Sequence, residues 1–206
     1  VMDQAVERRV RMEQELRGAW ERGELSVAYQ PVYRLRDNRL VGAEALLRWH
    51  REGELVSPAE FIPLAEETGL IVPIGAWVLR RACTRTQAWR RTHGVPLRVA
   101  VNISPRQLEA GGLVEAVASA LQASGLPPEA LELELTESAL VRDPQAAART
   151  LGELRSLGVS LAIDDFGVGY SSFAYLRELP VHKIKIDRSF MAAVRTAQGD
   201  PRLVRA

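Results

Sequence analysis

Six short apolar runs, alternating with helical stretches, each carry at or near their end a residue of the kind that binds a divalent metal or a phosphate. In chain order the runs are VAYQP with Gln30, GAEALLRW with Glu44, VAVNISP with Asn102, ELELTES with Glu134, LAIDDFG with Asp164 and Asp165, and HKIKIDRSF with Lys185. A strand buried on both faces has no local use for a carboxylate, which is costly there unless paired or coordinated. One such residue would be an accident. Six at corresponding places predict a single site assembled from many strand ends.

The intervening segments read as helices. Residues 1–23 form one helical stretch, with Met2, Val6, Leu16 and Trp20 as its expected buried stripe and Gly23 as its stop. SVAYQPVYRL and RLVGAEALLRW read as strands joined by the polar turn RDN. Ser57 before Pro58 predicts an N-cap, and an amphipathic helix runs from Ile74 to His93 with Gly94 ending it. RVAVNIS is a buried strand. The helix after it breaks at Gly111–Gly112, and Asp143 caps the helix that precedes VSLAIDDFG. Strands alternating with helices predict βαβ units and a parallel sheet. The number of units and the polar strand ends favour a closed (β/α) barrel over an open doubly wound sheet, with its site where strands run into the following helices.

The donor types narrow the chemistry. Glu44, Asn102, Glu134 and Asp164 are hard oxygen donors with no His or Cys beside them, a set suited to Mg²⁺ or Mn²⁺ rather than Zn²⁺. Successive strand residues point to opposite faces, so Asp164 and Asp165 serve one site only where strand gives way to loop, and Gly167 and Gly169 supply that backbone. Adjacent aspartates can hold two metals, the arrangement that clamps attacking and leaving oxygens in phosphoester cleavage. Taken singly, each acid is more often a helix cap or a surface charge.

Lys185 alternates with Ile184 and Ile186, so if the isoleucines face helices it faces the interior with Lys183 and Asp187. There it could orient or deprotonate water, or act as counter-ion to the carboxylates. Arg48 shares the face of Glu44 by its even spacing and could pair with a phosphate, and Gln30 could hydrogen-bond a base or a ligated water. Glu137, past the strand end, could brace the loop after Asp164 or cap the next segment.

Composition excludes several classes. A net charge of +1 gives no global field for DNA. The single cysteine, Cys83, allows neither an intrachain disulfide nor a zinc–cysteine cluster, and its helical setting predicts an inert buried thiol. No apolar run approaches the length of a membrane span and the start is charged rather than signal-like, which predicts a cytoplasmic protein with no membrane segment.

GAEALLRW, FIPLAEETGLI, VAVNISPRQL, LELELTES, AIDDFGVGYSS and HKIKIDRSF, in this order and spacing, closely resemble the EAL-domain cyclic di-GMP phosphodiesterases. The family name is the tripeptide Glu44-Ala45-Leu46. The resemblance implies eight units, a (β/α)8 TIM-like barrel of the EAL type with an antiparallel first strand, hydrolysing cyclic di-GMP to linear pGpG with Mg²⁺ or Mn²⁺, two ions in all. It assigns metal ligation to Glu44, Asn102, Glu134, Asp164 and Asp165, catalysis to Glu44, Asp165 and Lys185, loop anchoring to Glu137, and substrate contacts to Gln30 and Arg48. It further implies a homodimer and a connector helix over 1–23 from a preceding GGDEF-like or sensor domain; an ordinary first helix is the plainer alternative. The barrel then spans 24–206 and is C-terminally incomplete, because the family continues through two more strands bearing another metal-binding glutamate and a glutamine. Val168 stands where the family's loop usually has threonine. The alternative function is a receptor that binds cyclic di-GMP without cutting it and signals through a partner domain.

Overall fold

Strands β1 (Leu25–Arg34) and β2 (Arg39–Arg51) open the sheet as an antiparallel pair, with Gln30 directly opposite Glu44. Asn38 turns the connection at a φ of 53°, and the Arg34 guanidinium donates to both oxygens of Asp37. The computed structural model from which these positions come describes residues 2–136, 139, 143–166 and 179–186. A short third strand, β3 (Glu54–Val56), folds back on β2 over Glu52 and Gly53, both at positive φ. Two-residue hairpin loops of this kind take positive φ at both central positions. The sequence reading missed this hairpin because its strand is only three residues long.

Beyond it the expected alternation holds. Helices α2 (Pro58–Glu67) and α3 (Ile71–His93) lead to β4 (Arg98–Ile103). Helices α4 (Pro105–Glu109) and α5 (Leu113–Ser124) lead to β5 (Leu131–Thr136), and α6 (Pro144–Ser156) leads to β6 (Ser160–Phe166). Strand β7 (Lys183–Ile186) follows. The sheet order is β1-β2-β4-β5-β6-β7, with β3 on the side of β2, and every pairing from β2 to β7 in that order is parallel. This is an α/β sheet of barrel type with an antiparallel first strand. Among the described residues it does not close, and β1 and β7 are its edges.

The period of two sorts the strands' side chains. Val99, Val101 and Ile103 of β4, Leu131, Leu133 and Leu135 of β5, and Leu161 and Ile163 of β6 are buried in the core cluster that includes residues of α3, α5 and α6. The opposite face carries Ala100, Asn102, Glu132, Glu134, Ala162 and Asp164. Strand β5 is buried on both faces, leaving Glu132 and Glu134 only 7% and 2% exposed.

Several local expectations are refined. In α1 (Met2–Ala19) the buried stripe is Met12, Leu16 and Ala19, while Val6 and Trp20 are exposed; the Met2 side chain lies outside the description. The helix packs by its C-terminal half, and the ion pairs Arg9–Glu67 and Arg51–Glu15 link it to α2 and β2. Ser57 occupies the N-cap of α2 without a side-chain bond, whereas Ser104 forms a full capping box with Gln107 at α4 and Asp143 caps α6 through Ala146 N–H. Gly111 and Gly112, both at positive φ, separate α4 from α5, and α3 begins three residues earlier than expected, at Ile71. No single described helix is long and apolar enough to cross a membrane.

Candidate metal centre

Parallel strands twist and stagger, so the residues that meet are not those at equal register. Asn102 is level with Glu134, whereas Glu44 is level with Ala100, two residues below Asn102. The stagger lets the Asn102 amide donate to Glu44 Oε1 at 2.8 Å. On the other side Asp164 is level with Thr136. The Lys185 ammonium then closes the ring, donating to Glu134 Oε2 at 2.6 Å and Asp164 Oδ2 at 2.8 Å, with Glu44 Oε2 at 3.6 Å. Oxygens of Glu44, Glu134 and Asp164 all lie within 4.8 Å of one another. Five strands thus contribute one side chain each to one cluster, and all five had been named from the sequence.

Electrostatics follow from burial. Desolvation pushes the Glu134 carboxyl up to about 7, against the opposing pull of the Lys185 hydrogen bond and charge. Burial works against the Lys185 ammonium, but its bonds to Asp164 and Glu134 outweigh that and hold its pKa above the ordinary lysine value. Three carboxylates and one ammonium leave two negative charges when all are ionised, the charge a divalent cation balances. The donors are hard oxygens, with no His or Cys among the clustered groups. The residues present therefore fit Mg²⁺ or Mn²⁺.

The remaining candidates fall around this cluster. Asp165 is not one of the three converging carboxylates. It takes a left-handed φ of 53° where the β6–β7 register shifts between Ile163 and Phe166, and its N–H donates to Asp164 Oδ1 at 3.0 Å. The break in strand geometry expected at the paired aspartates is there. Gln30 is exposed and directly opposite Glu44. Arg48 lies four residues beyond Glu44 on β2, with Nη1 donating to the Leu47 carbonyl. It lines a cleft of about 510 Å³ together with Asn102, Thr136 and Ile62. Glu137 and Asp187 lie outside the described residues.

Cys83 is buried as expected, desolvation pushing its thiol up to about 12, and His182 Nδ1 accepts from Leu161 N–H. What the sequence reading missed is Glu132, whose carboxylate takes both oxygens to Lys183 at 2.7 and 2.9 Å. The signal was available in the matched alternations ELEL and KIKI.

The EAL domain family model matches residues 13–206. The bifunctional diguanylate cyclase/cyclic di-GMP phosphodiesterase MucR of Pseudomonas aeruginosa is 44% identical over 193 residues, which is 93% of this chain and 28% of MucR. The solved structure described as PaMucR phosphodiesterase, c-di-GMP complex, matches with a TM-score of 0.87 at 42% identity, covering 94% of this chain and 79% of that one. The Xanthomonas citri FimX EAL domain in complex with c-diGMP matches with a TM-score of 0.86 at 28% identity, covering 98% of this chain and 79% of that one. This chain belongs to the EAL domain family. It spans about a quarter of the length of the curated relatives it matches.

Proposed function

We propose that this chain is the phosphodiesterase module of a cyclic di-GMP signalling protein, hydrolysing cyclic di-GMP to linear pGpG with a divalent cation. The observation that carries the reading is the convergence of Glu44, Asn102, Glu134, Asp164 and Lys185 at one end of a family sheet whose relative MucR bears that activity in its name. Glu44, Asn102, Glu134 and Asp164 would hold Mg²⁺ or Mn²⁺, which when bound supplies Lewis-acid stabilisation of charge on phosphoryl oxygen. A second ion would draw on Asp165, which follows Asp164 at the break in the strand.

Lys185, which donates to Glu134 and Asp164, would orient or deprotonate the attacking water or stabilise charge on a phosphoryl oxygen. Asn102, by donating to Glu44, fixes which Glu44 oxygen stays free to accept. Gln30, across from Glu44, is the candidate contact for a guanine edge, and Arg48 the candidate for the distal phosphate. Glu137 remains the proposed anchor of the loop after Asp165. In this reading residues 1–23 connect a GGDEF-like or sensor domain to the barrel over 24–206, and the whole acts as a cytoplasmic homodimer.

The test is product formation from cyclic di-GMP with Mn²⁺ or Mg²⁺, with Glu44→Ala as control. Linear dinucleotide from the wild type and not from the variant is the expected result. Tight binding of cyclic di-GMP with no product, also in a chain extended through the family's remaining strands, would replace the enzyme by a receptor.

A further inference from the structure

Below the metal cluster lies a second rung. Glu132, two residues before Glu134 on β5, faces the same interior and binds the Lys183 ammonium through both oxygens, as Glu134 binds Lys185. Each pair spans the same 51 residues of sequence. Strand β6 runs between them and presents Ala162, which is paired in register with both Glu134 and Lys183. Two strand spacings separate β5 from β7 by roughly 10 Å, a gap that extended lysine and glutamate side chains bridge over a methyl group.

What the lower rung adds is register. Strand β7 is four residues long and its pairing with β6 is interrupted between Ile163 and Phe166. Its sequence, Lys-Ile-Lys-Ile, repeats every two residues. A one-residue slip would turn the lysines out, but a two-residue slip keeps every side chain on its face, so hydrophobic patterning does not oppose it. Charge does. Sliding Lys183 up to Glu134 strands Glu132 without a cation, and sliding Lys185 down to Glu132 strands Glu134 and Asp164. A buried carboxylate stripped of its partner is strongly disfavoured.

We propose that the Glu132–Lys183 pair is a register pin that holds β7 so that Lys185, and not Lys183, stands over Glu134 and Asp164. Glu132 and Lys183 are then positioning residues acting through Lys185. The register rests on the strand pairing and these charges; its effect on turnover rests on the function proposed above.

Isoleucine-methyl-labelled protein reports the register without metal or substrate, because Ile163 and Ile184 are partners across β6 and β7. The wild type is expected to show an Ile163–Ile184 methyl cross-peak. Glu132→Gln is expected to lose most of it and to gain contact between Ile163 and the His182 ring. The charge-inverted double variant Glu132→Lys with Lys183→Glu is expected to restore it. Glu132→Ala removes the same carboxylate without adding a buried amide, and serves if Glu132→Gln prevents folding; it too should lose the cross-peak, whereas Lys183→Met, which leaves Lys185 the one cation for Glu134 and Asp164, should keep it.

In the turnover assay Glu132→Gln should lower kcat by about a hundredfold, the scale set by misplacing a group that acts in the transition state, with KM little changed and recovery in the inverted pair. A cross-peak of wild-type strength in the folded single Glu132 variants would overturn the pin. A cross-peak that moves as expected in a protein that never hydrolyses cyclic di-GMP would overturn the proposed function and leave the pin standing.

Discussion

Glu134 is where the cluster's tension concentrates. Its folded pKa, about 7, lies above the 4.5 of the free side chain, so the folded state binds that proton more tightly than the unfolded one. The contribution to stability is therefore full below 4.5, falls as pH rises from 4.5 to about 7, and is flat above. Two and a half pH units correspond to about 3 kcal/mol as an upper scale. In metal-free protein, urea unfolding at pH 5 and pH 8 should show the wild type losing stability relative to Glu134→Gln by up to about that amount across the interval. Saturating Mg²⁺ should abolish the difference by favouring the anion. At this scale the sequence was most readable, because a carboxylate at the end of an apolar run has few reasons to be there. At Asp165 it foresaw the break in the strand, but nothing local distinguishes an aspartate that joins a cluster from one that turns the chain beside it.

The elements show why the site holds its shape. Asn102 is followed two residues later by Ser104, whose hydroxyl accepts from Gln107 N–H while Gln107 Oε1 accepts from Ser104 N–H. That capping box ends β4 directly above the cluster, and its Gln107 side chain is packed against Gly75 of α3, where an added Cβ would come within van der Waals overlap of the amide. Gly75→Ala should therefore open the box and cost about 1–3 kcal/mol by overpacking. Differential scanning calorimetry checks the loss, and Ser104→Ala should lose part of the same increment rather than a separate one, because the two changes share one partner. The long elements were legible from period and punctuation. Strand β3 was not, since three residues carry too little pattern, and the buried stripe of α1 was misplaced because only tertiary packing decides which half of an amphipathic helix finds a surface.

At the scale of the molecule, a site contributed by five strands couples ligand binding to the integrity of the whole sheet. Any ion that binds the folded cluster and not the unfolded chain stabilises by mass action, by about 2.7 kcal/mol at a hundredfold excess over Kd. For a chain of this size that is a rise in Tm of roughly 5–11 °C. Mn²⁺ should produce it, EDTA should reverse it, and Glu44→Ala should blunt it. The sheet order could be anticipated from the strand–helix alternation, whereas the stagger that brings Glu44 to Asn102 could not, because shear belongs to the assembled sheet and to no single strand. Since β1 runs against β2, the chain enters the sheet at the site end, where Glu24, between α1 and β1, accepts from Trp49 Nε1 and Glu15 of α1 pairs with Arg51, on the strand that bears Glu44 five residues before Trp49. The entry helix is in effect a handle on that strand, and a twist applied to it arrives at the Glu44 carboxylate of the candidate metal centre with little intervening chain to absorb it.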